Sequence, residues 1–413
     1  MAVVKPFRGI RPRKDLAEKI AALPYDVYTR EEARKIVREN PFSFLKIDRG
    51  ETQLSEETDI YSPQVYEKAS ETLRHMRDKG EFIQEKIPAF YIYELTMNGR
   101  VQTGLGACVS VEEYEKQIIK KHENTRKEKE EDRVRHVDSC KAQTGPIFLA
   151  YRYQENIYEL LQEKKKGSPV YDFVAEDGIH HRMWVIEQKE DILLIEKLFQ
   201  KVPGLYIADG HHRAASAVRV AQKKREQEKN IFPQGEKPEY EYFLAVLFAD
   251  RDLLVMDYNR WVKDLNGKTS EEFLELLKKK FSVTPLTEAS HPEKKGQFTM
   301  YLEHRWYLLE EKLQQMGADV VDQLDVSLLQ REVLSPLLGI RDPKTDQRIR
   351  FVGGVRGLKD LERMTDKQGG VAFALYPTSM EELFAVADEG KLMPPKSTWF
   401  EPKLRSGLLI HSI

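Results

Sequence analysis

The stretch of sequence that decides the fold is Leu205-Tyr206-Ile207-Ala208-Asp209-Gly210-His211-His212-Arg213-Ala214-Ala215-Ser216-Ala217. Its first residues are apolar and predict a strand, whereas its last residues are small and predict the start of a helix. Backbone N–H groups at a helix start lack partners within the helix, and the helix dipole favours negative charge there. Gly210 permits a positive φ and the close approach of a ligand. The stretch therefore predicts an anion-binding turn.

The polar residues of this turn suit a phosphate group. Arg213 can donate two parallel hydrogen bonds to phosphate oxygens, so we expect the turn to hold the phosphates of a nucleotide or of a phosphorylated metabolite. The alternative is structural: Asp209 is only the N-cap of the helix, and His211 and His212 are solvated residues of its first turn. Adjacent side chains of a helix face different sides, so the two histidines are not expected to bind one metal ion.

The usual nucleotide-binding patterns are missing from the sequence. It contains no complete Walker motif and no Gly-x-Gly-x-x-Gly motif around the turn, so the common nucleotide folds are not predicted. The 413 residues correspond to two or three domains if a domain has roughly 100–200 residues. Hydrophobic residues make up 40% and charged residues 32% of the chain, and the net charge is −2. This balance does not suggest nucleic-acid binding.

The sequence also lacks the patterns that would indicate secretion or membrane insertion. The start of the chain has no signal-peptide core, and no apolar run has the length of a membrane span, so we expect a cytoplasmic protein without a membrane partner. The two cysteines, Cys108 and Cys140, predict neither a disulfide framework nor a metal site. Cys140 could be a nucleophile, although an inert buried thiol is the commoner case.

Several local signals predict secondary structure. Thr29 is a candidate N-cap of a helix over residues 30–39, with Glu32 at the spacing of a capping box. Alternation over Phe42–Arg49 predicts a strand. Asn98-Gly99 predicts a hairpin turn. Further along, the patterns predict a hairpin from residues 297–302 and 304–309.

The charged segment after Lys121 combines residues that phosphoryl chemistry uses. Glu123 could act as a base or hold Mg²⁺ through oxygen, and Arg126 or Lys127 could reach a phosphoryl group. Arg126 and Arg133 are seven residues apart and share a face if one continuous helix contains both. The alternative is an ordinary solvated helix with charge pairs at i,i+4 spacing.

The last motif is a strap over residues 393–407, Met393-Pro394-Pro395-Lys396-Ser397-Thr398-Trp399-Phe400-Glu401-Pro402-Lys403-Leu404-Arg405-Ser406-Gly407. Lys396 and Lys403 can neutralise phosphate as point charges, and Ser397 and Thr398 supply hydroxyl donors. Prolines restrict the backbone before binding. The alternative is a proline-rich strap that only packs on its domain.

The order of the predicted elements indicates a mixed α+β protein, since strands and helices alternate without a strict βαβ rhythm. We place one domain at residues 1–260 and a second α+β domain at 261–413, with the strap 393–407 returning to the phosphate site. The cut follows a predicted strand end and the turn Asn266-Gly267. An amphipathic helix is predicted over Val320–Leu334.

The motif Asp-Gly-His-His-Arg, after a strand and before an alanine-rich helix, resembles the phosphate-binding motif of the ParB/sulfiredoxin-like superfamily. That group includes nucleotide-dependent partition proteins, sulfiredoxins and free serine kinases. The chain as a whole resembles the domain-of-unknown-function family ten-fifteen. The segments that carry this second resemblance are Pro24-Tyr25-Asp26-Val27, Asn40-Pro41-Phe42-Ser43-Phe44-Leu45, His122-Glu123-Asn124-Thr125 with Asp132-Arg133, Asp209-Gly210-His211-His212-Arg213, and Pro394 to Lys403. The resemblance implies an α+β protein with a mixed-sheet ParB/sulfiredoxin-like core.

The resemblance also implies a function. We expect a phosphoryl-transfer enzyme that acts on serine or O-phosphoserine, as kinase or as phosphatase, with ATP or ADP and Mg²⁺ as cofactors and a small phosphorylated molecule as its partner. Asp209 or Glu123 would be the base or a metal ligand, and His211 the general acid. Phosphate contacts would come from Gly210, His212, Arg213, Arg126, Lys396, Ser397, Thr398 and Lys403.

Two other functions remain open from the sequence. A nucleotide-binding switch of the ParB type would use the phosphate turn without metabolic turnover. Such a switch is expected to carry a DNA-binding helix-turn-helix after the core, and residues 269–336 show no basic recognition helix. A sulfiredoxin-like reductase would depend on Cys140 alone.

Overall fold

The computed structural model describes residues 2–228, 237–312 and 319–413. The chain forms two compact units, of which the first comprises Met1–Leu253 with Pro402–Ile413 and the second comprises Leu254–Glu401. The cut predicted at residues 260 and 261 lies within strand Tyr258–Val262 of the second unit. A loop that the sequence predicts at residues 230–238 falls mostly on residues 229–236, which lie outside the described residues.

The first unit is built on a mixed sheet of nine strands among its described residues. Eight of them follow one another in the order Ile119–Lys120, Leu205–Asp209, Ile147–Tyr151, Tyr242–Ala249, Arg100–Ser110, Phe90–Met97, His180–Ile186 and Tyr171–Val174. The ninth, Val4–Lys5, pairs with Arg100–Ser110. Two neighbouring pairs are parallel, Leu205–Asp209 with Ile119–Lys120 and Tyr242–Ala249 with Ile147–Tyr151. The other pairs are antiparallel, which makes the sheet mixed.

Helices cover this sheet. The α-helices of the first unit are Ala17–Ile20, Arg30–Glu39, Leu45–Asp48, Pro63–Asp78, Val111–Glu115, Lys127–Cys140, Glu155–Lys164, Lys189–Phe199 and His211–Glu228. The shorter strands are Ile10–Pro12 with Phe82–Gln84 and Ala142–Gln143 with His411–Ser412. One large apolar cluster joins strand residues such as Leu149 and Ile207 to helix residues such as Phe199 and Ala214. Burial of this apolar surface holds helix His211–Glu228 against the sheet.

The C-terminal tail, Pro402–Ile413, is part of the first unit. Its backbone pairs with three distant segments, through bridges from Ser406 to Ala22 and from Ile410 to Ile10 and through strand His411–Ser412. Residues 404–411 of the tail are all buried. Backbone pairing therefore fixes the course of the tail, and the side chains it carries have defined positions.

The second unit contains a six-stranded antiparallel sheet in its described part. The strand order is Phe281–Leu286, Arg305–Glu311, Gln297–Leu302, Val371–Leu375, Tyr258–Val262 and Ile349–Gly353. Strands Leu254–Met256 and Trp399–Glu401 pair with each other. The α-helices are Ser270–Leu277, Asp325–Leu329, Leu358–Gln368 and Met380–Asp388, and a π-helical turn spans Gln330–Leu334. Strands separate the first two helices, so the described residues of 269–336 form no helix-turn-helix.

The mixed α+β class is confirmed, and so are the clearest local predictions. Thr29 and Glu32 form both hydrogen bonds of a capping box at helix Arg30–Glu39. Asn98 and Gly99 have φ of 51° and 78° and connect strands Phe90–Met97 and Arg100–Ser110. The ParB/sulfiredoxin-like character of the core stays a prediction.

The strand predicted at Phe42–Arg49 is wrong, because the segment contains helix Leu45–Asp48. Phe44, Leu45 and Ile47 are all fully buried. Such a short apolar run fits either periodicity, and packing in the first unit selects the helix. The helix predicted over Val320–Leu334 is also only partly correct, since it begins at Asp325.

No helix among the residues that the structure describes is both long and apolar enough to cross a membrane.

The docking of the tail gives a test of the fold. Gly407 has a φ of +85°, and a methyl group there would lie 2.5 Å from Cγ of the buried Phe44 ring. Gly178 has a similar φ of +78° but open space around it. We expect Gly178→Ala to lower the free energy of unfolding by about 1–2 kcal/mol through backbone strain alone. Gly407→Ala should cost roughly 1–3 kcal/mol more because of the added clash. Urea denaturation measures both, and equal losses would contradict this account of the tail.

Candidate functional site

The candidate site lies where strand Leu205–Asp209 leaves the sheet and helix His211–Glu228 begins. Gly210 joins them with a φ of +92°, a conformation that favours glycine. The Gly210 carbonyl accepts the N–H of Ala214 at 2.9 Å and makes the first helical hydrogen bond. The predicted order of strand, turn and helix is therefore correct. We call residues Asp209 to Arg213, with the side chain of Lys403, the corner.

The guanidinium of Arg213 lies directly against this turn. A methyl group placed on Gly210 would be 3.0 Å from both Nε and Nη2 of Arg213. Nη1 of Arg213 donates to the carbonyl of Pro146. This bond holds the guanidinium beside the helix start, where its charge adds to the field of the helix dipole. The structure thus places the cationic side chain of Arg213 beside the turn where the sequence predicts that an anion binds.

Asp209 is half-buried and ion-paired with the tail. Its Oδ2 lies 3.1 Å from Nζ of Lys403, and its Oδ1 accepts the N–H of Gly210 at 2.8 Å. Burial acts to raise the pKa of Asp209, but Lys403 and Arg213 outweigh it and lower that pKa. The N-cap alternative is wrong, because this carboxylate bonds residue 210 and not an N–H within the helix.

His211 is buried rather than solvated, so the second part of that alternative is wrong for His211. His212 is half-buried. The ring of His211 meets the ring of His122 edge-on, with centroids 4.6 Å apart. Nε2 of His211 has no hydrogen-bond partner among the residues that the structure describes. Burial lowers the pKa of His211 well below its usual value, and His122 lowers it further. The ring is therefore neutral at pH 7, and the structure does not support the predicted role of His211 as general acid.

The loop between strand Ile119–Lys120 and helix Lys127–Cys140 covers the first turn of helix His211–Glu228. His122 contacts His211, and the backbone N–H of Arg126 donates to Nε2 of His212 at 3.0 Å. Glu123 is half-buried in the same loop, between these two contacts. The structure therefore brings the backbone of Arg126 and the ring of His122 to the corner. Phosphate contact by Arg126 and the role of Glu123 stay predictions.

One expectation about this charged segment fails. Arg126 is the N-cap residue of helix Lys127–Cys140, so it does not share a helix face with Arg133. Arg133 is buried and pairs with Asp132. Cys140 is also a poor nucleophile, because burial raises the pKa of its thiol to about 12. The reductase alternative therefore loses its one candidate residue.

Three predicted phosphate contacts belong to the second unit. Ser397 is buried, and its hydroxyl donates to the carbonyl of Pro394 at 2.7 Å. The Ser397 carbonyl in turn accepts the Thr378 hydroxyl at 3.0 Å. Lys396 is exposed and has a φ of +59°, while Thr398 is half-buried. Phosphate contacts from Lys396, Ser397 and Thr398 stay a prediction from the sequence.

Sequence reasoning missed a cavity behind Arg213. Its volume is about 30 Å³, which is enough for roughly two water molecules. Polar groups of Tyr25, Arg133, Thr144, Arg213 and Ser406 line it, together with apolar neighbours. Tyr25 and Arg133 belong to two of the segments that carry the family resemblance. Their presence in these segments was the sequence signal that could have pointed to the cavity.

The described residues offer no metal cluster made by the protein alone. Among residues 2–228, 237–312 and 319–413, no three His, Cys, Asp or Glu side chains are grouped so as to hold a metal ion. A Mg²⁺ ion that accompanies a nucleotide needs only one or two carboxylates besides the phosphate oxygens. Asp209 and Glu123 could supply these.

Comparison with known proteins gives the family. Residues 4–327 match the family described as "Protein of unknown function (DUF1015)", and the chain belongs to that family. No curated protein matches the sequence. The predicted resemblance to family ten-fifteen is thereby confirmed.

Solved structures show distant likenesses. A free serine kinase variant in complex with AMP has 16% identity and a TM-score of 0.36, over 74% of this chain and 92% of that chain. A conserved hypothetical protein from Pyrococcus furiosus has 16% identity and a TM-score of 0.34, over 74% and 94%. SbnI from Staphylococcus aureus, with a C-terminal truncation, has 12% identity and a TM-score of 0.38, over 74% and 86%. These likenesses are too weak for function to be transferred from them.

The buried histidine pair predicts how stability depends on pH. Burial lowers the pKa of His122 to about 4, whereas a histidine of the unfolded chain titrates near 6.5. Below about pH 6.5 the unfolded state therefore binds more protons, and the folded state loses stability until about pH 4. We expect His122→Phe, which keeps an aromatic ring against His211, to remove roughly 2 kcal/mol of the stability difference between pH 7 and pH 5.

Urea denaturation at both pH values measures this difference. His75→Gln is the control, because His75 is exposed on helix Pro63–Asp78, and it should keep the dependence of the unchanged protein. If His122→Phe shows that same dependence, His122 does not titrate as its burial requires.

Proposed function

We propose that the protein is a phosphoryl-transfer enzyme that acts on a small hydroxylated metabolite, most simply serine or O-phosphoserine, with ATP or ADP. One observation carries the proposal. At the corner, two cations flank a single carboxylate at the start of an 18-residue helix, and the glycine between them has a positive φ. This excess of positive charge favours a bound phosphate.

The corner offers several kinds of phosphate contact in a small space. The first N–H groups of the helix point out of its N-terminus, and Gly210 lets a phosphate approach the backbone. Arg213 adds a planar pair of donors, and Lys403 adds a point charge. In the proposal Gly210, His212 and Arg213 hold the phosphate, and Lys403 offsets the charge of both the phosphate and Asp209. His211 remains neutral beneath the turn and supports its shape.

The chemistry needs little more than alignment and charge neutralisation. In the kinase direction the hydroxyl oxygen of the metabolite forms a bond to the terminal phosphorus. The bond from that phosphorus to the bridging oxygen breaks, and its electron pair leaves with the shortened nucleotide. The hydroxyl proton goes to a carboxylate. Asp209 is a weak base because its pKa is lowered, so we assign the proton to Glu123. Bound Mg²⁺ would offset the charge of the phosphates.

In the phosphatase direction, water replaces the hydroxyl as nucleophile. The water oxygen then bonds to the phosphorus of O-phosphoserine, the ester bond breaks, and serine takes the proton. No observation on the described residues favours the alternative of a ParB-type switch, because its expected helix-turn-helix is not formed there.

Removal of Arg213 tests the proposal. The assay incubates the protein with serine and either ATP or ADP, and separately with O-phosphoserine with and without ADP, and follows phosphate and serine. Loss of a charged donor that faces a transferring group lowers kcat/KM by roughly 10²-fold in comparable sites. We expect that loss for Arg213→Ala.

Arg219→Ala is the matched control on the same helix. Arg219 bonds Glu130 at 3.2 Å and Glu131 at 2.9 Å on the surface, and such pairs contribute little. We expect its kcat/KM to change less than about twofold. Equal losses in the two variants would argue against the phosphate turn. If the unchanged protein binds nucleotide tightly but shows no turnover, the proposal of an enzyme is wrong and the nucleotide-binding switch is favoured.

A further inference from the structure

Asp48 is a buried carboxylate of the first unit with few partners. It is the last residue of helix Leu45–Asp48 and is 4% exposed. Its Oδ1 accepts the hydroxyl of Thr144 at 2.9 Å, and among the described residues its carboxylate makes no other hydrogen bond and no ion pair. A buried carboxylate is usually paired with a cation, because burial removes its contacts with water. Asp48 therefore lacks part of the stabilisation that a buried charge needs.

The charged groups around Asp48 do not balance it. Arg133 donates to the backbone carbonyl of Asp48 at 3.4 Å, but its guanidinium is ion-paired with Asp132, whose Oδ2 lies 2.8 Å from Nη2. Burial acts to lower the pKa of Arg133, but nearby negative groups, Asp132 first and Asp48 among them, outweigh it. Burial also lowers the pKa of the neighbouring His136, so its ring is neutral at pH 7. One arginine thus faces two carboxylates, and the buried cluster lacks a cation.

A cavity lies beside this carboxylate. Asp48 lines the cavity of about 30 Å³ behind Arg213, which has the space of roughly two water molecules, or of an ammonium group and the carbon that bears it. Tyr25 and Ser406 line it as well. Neither of their hydroxyl groups makes a hydrogen bond to another described residue, although Ser406 is only 3% exposed. The cavity therefore joins a carboxylate to two hydroxyl groups that can accept further hydrogen bonds.

Arg213 separates this cavity from the corner. A methyl group placed on Gly145, which also lines the cavity, would be 3.0 Å from Oγ of Ser406 and 3.4 Å from Nη1 of Arg213. Nε and Nη2 of the same guanidinium lie against Gly210, and Nη1 donates to the carbonyl of Pro146. The donors of Arg213 are thus used by the turn and by a backbone carbonyl, and the cavity begins directly behind them.

We propose that this cavity binds the protonated amino group of the metabolite, with Asp48 as its counter-charge. The inference rests on the function proposed for the corner, and it specifies the substrate as a hydroxylated amine such as serine. An ammonium group has three N–H donors and no acceptor. These donors match the carboxylate of Asp48 and the hydroxyl oxygens of Tyr25 and Ser406, and the positive charge supplies the missing cation.

The position of the cavity fits such a substrate. The hydroxyl and amino groups of serine are on adjacent carbon atoms, so a hydroxyl that reacts at the corner requires an amine site close to it. The cavity meets this requirement because one side chain, Arg213, borders both. Asp48 is in this proposal a residue that determines specificity, since it contacts the amino group and takes no part in the transfer of the phosphoryl group.

Isothermal titration of the full chain with serine and with 3-hydroxypropionate tests the amine site. The second compound has the hydroxyl and carboxylate groups of serine but no amino group. We expect the unchanged protein to bind serine roughly tenfold more tightly than 3-hydroxypropionate. Asp48→Asn should weaken serine binding by about tenfold or more and should not weaken the binding of 3-hydroxypropionate.

Ser406→Ala is a second variant whose folding is not at risk, because the hydroxyl that it removes has no partner among the described residues. It should weaken serine binding about threefold and leave the free energy of unfolding unchanged in urea denaturation. Asp138→Asn is the matched control. It removes a carboxylate from helix Lys127–Cys140 outside the cavity, where Asp138 pairs with Lys141 and Lys223, and it should bind serine like the unchanged protein.

Three results would overturn the amine site: no serine binding by the unchanged protein, equal serine affinity in Asp48→Asn, or an equal loss of both ligands in that variant. Failure of this site and failure of the proposed enzyme are distinguishable. Serine turnover that keeps its preference over 3-hydroxypropionate in Asp48→Asn would refute the amine site alone. Serine binding that depends on Asp48, without any turnover, would refute the enzyme alone.

Discussion

The ion pair between Lys403 and Asp209 determines what the corner can bind. The two residues are 194 positions apart in the chain, and their side chains lie 3.1 Å from each other. Without a cation beside it, the ionised Asp209 would repel an anion at the helix start. With Lys403 and Arg213 on either side, the carboxylate is more than balanced. In the proposed function, anion binding at the helix start therefore depends on the return of the C-terminal tail.

That return is fixed by the backbone rather than by a flexible side chain. Ser406 and Ala22 exchange two backbone hydrogen bonds, and Ile410 and Ile10 do the same. Arg405, between Lys403 and these bridges, is ion-paired with Asp177. Backbone pairing at several points leaves Lys403 little freedom, so little entropy is lost when it pairs with Asp209. The second unit is in effect an insertion between Leu253 and Pro402 of the first.

Three arginines of the protein differ in the groups that surround their guanidinium ions. Arg133 is neutralised by Asp132 and contributes packing against Tyr25. Arg213 is half-buried, held by one carbonyl, and directed at the turn around Gly210. Arg260 is buried, and among the described residues its hydrogen bonds go to backbone carbonyls. All three carry the same charge, and the groups packed around each arginine decide how far that charge is neutralised within the protein.

The sequence by itself determined the features that depend on neighbouring residues. The turn at Gly210, the capping box of Thr29 and Glu32 and the hairpin at Asn98-Gly99 follow from steric limits and hydrogen bonds within a few residues, and all three are present. The family and the α+β class were also readable. The roles of the candidate site residues remain predictions.

Only the tertiary structure decided the features that depend on distant residues. It turned Phe42–Arg49 into a helix, buried His211 against His122, and brought Lys403 to Asp209. It also divided the strap between two units, and within the described part of the chain it gave Arg260 backbone carbonyls rather than a carboxylate as hydrogen-bond partners. A short apolar run has no single preferred periodicity, and the pKa and the pairing of a side chain depend on burial and on charges supplied by other segments. These quantities are set by packing, and no local pattern in the sequence specifies them.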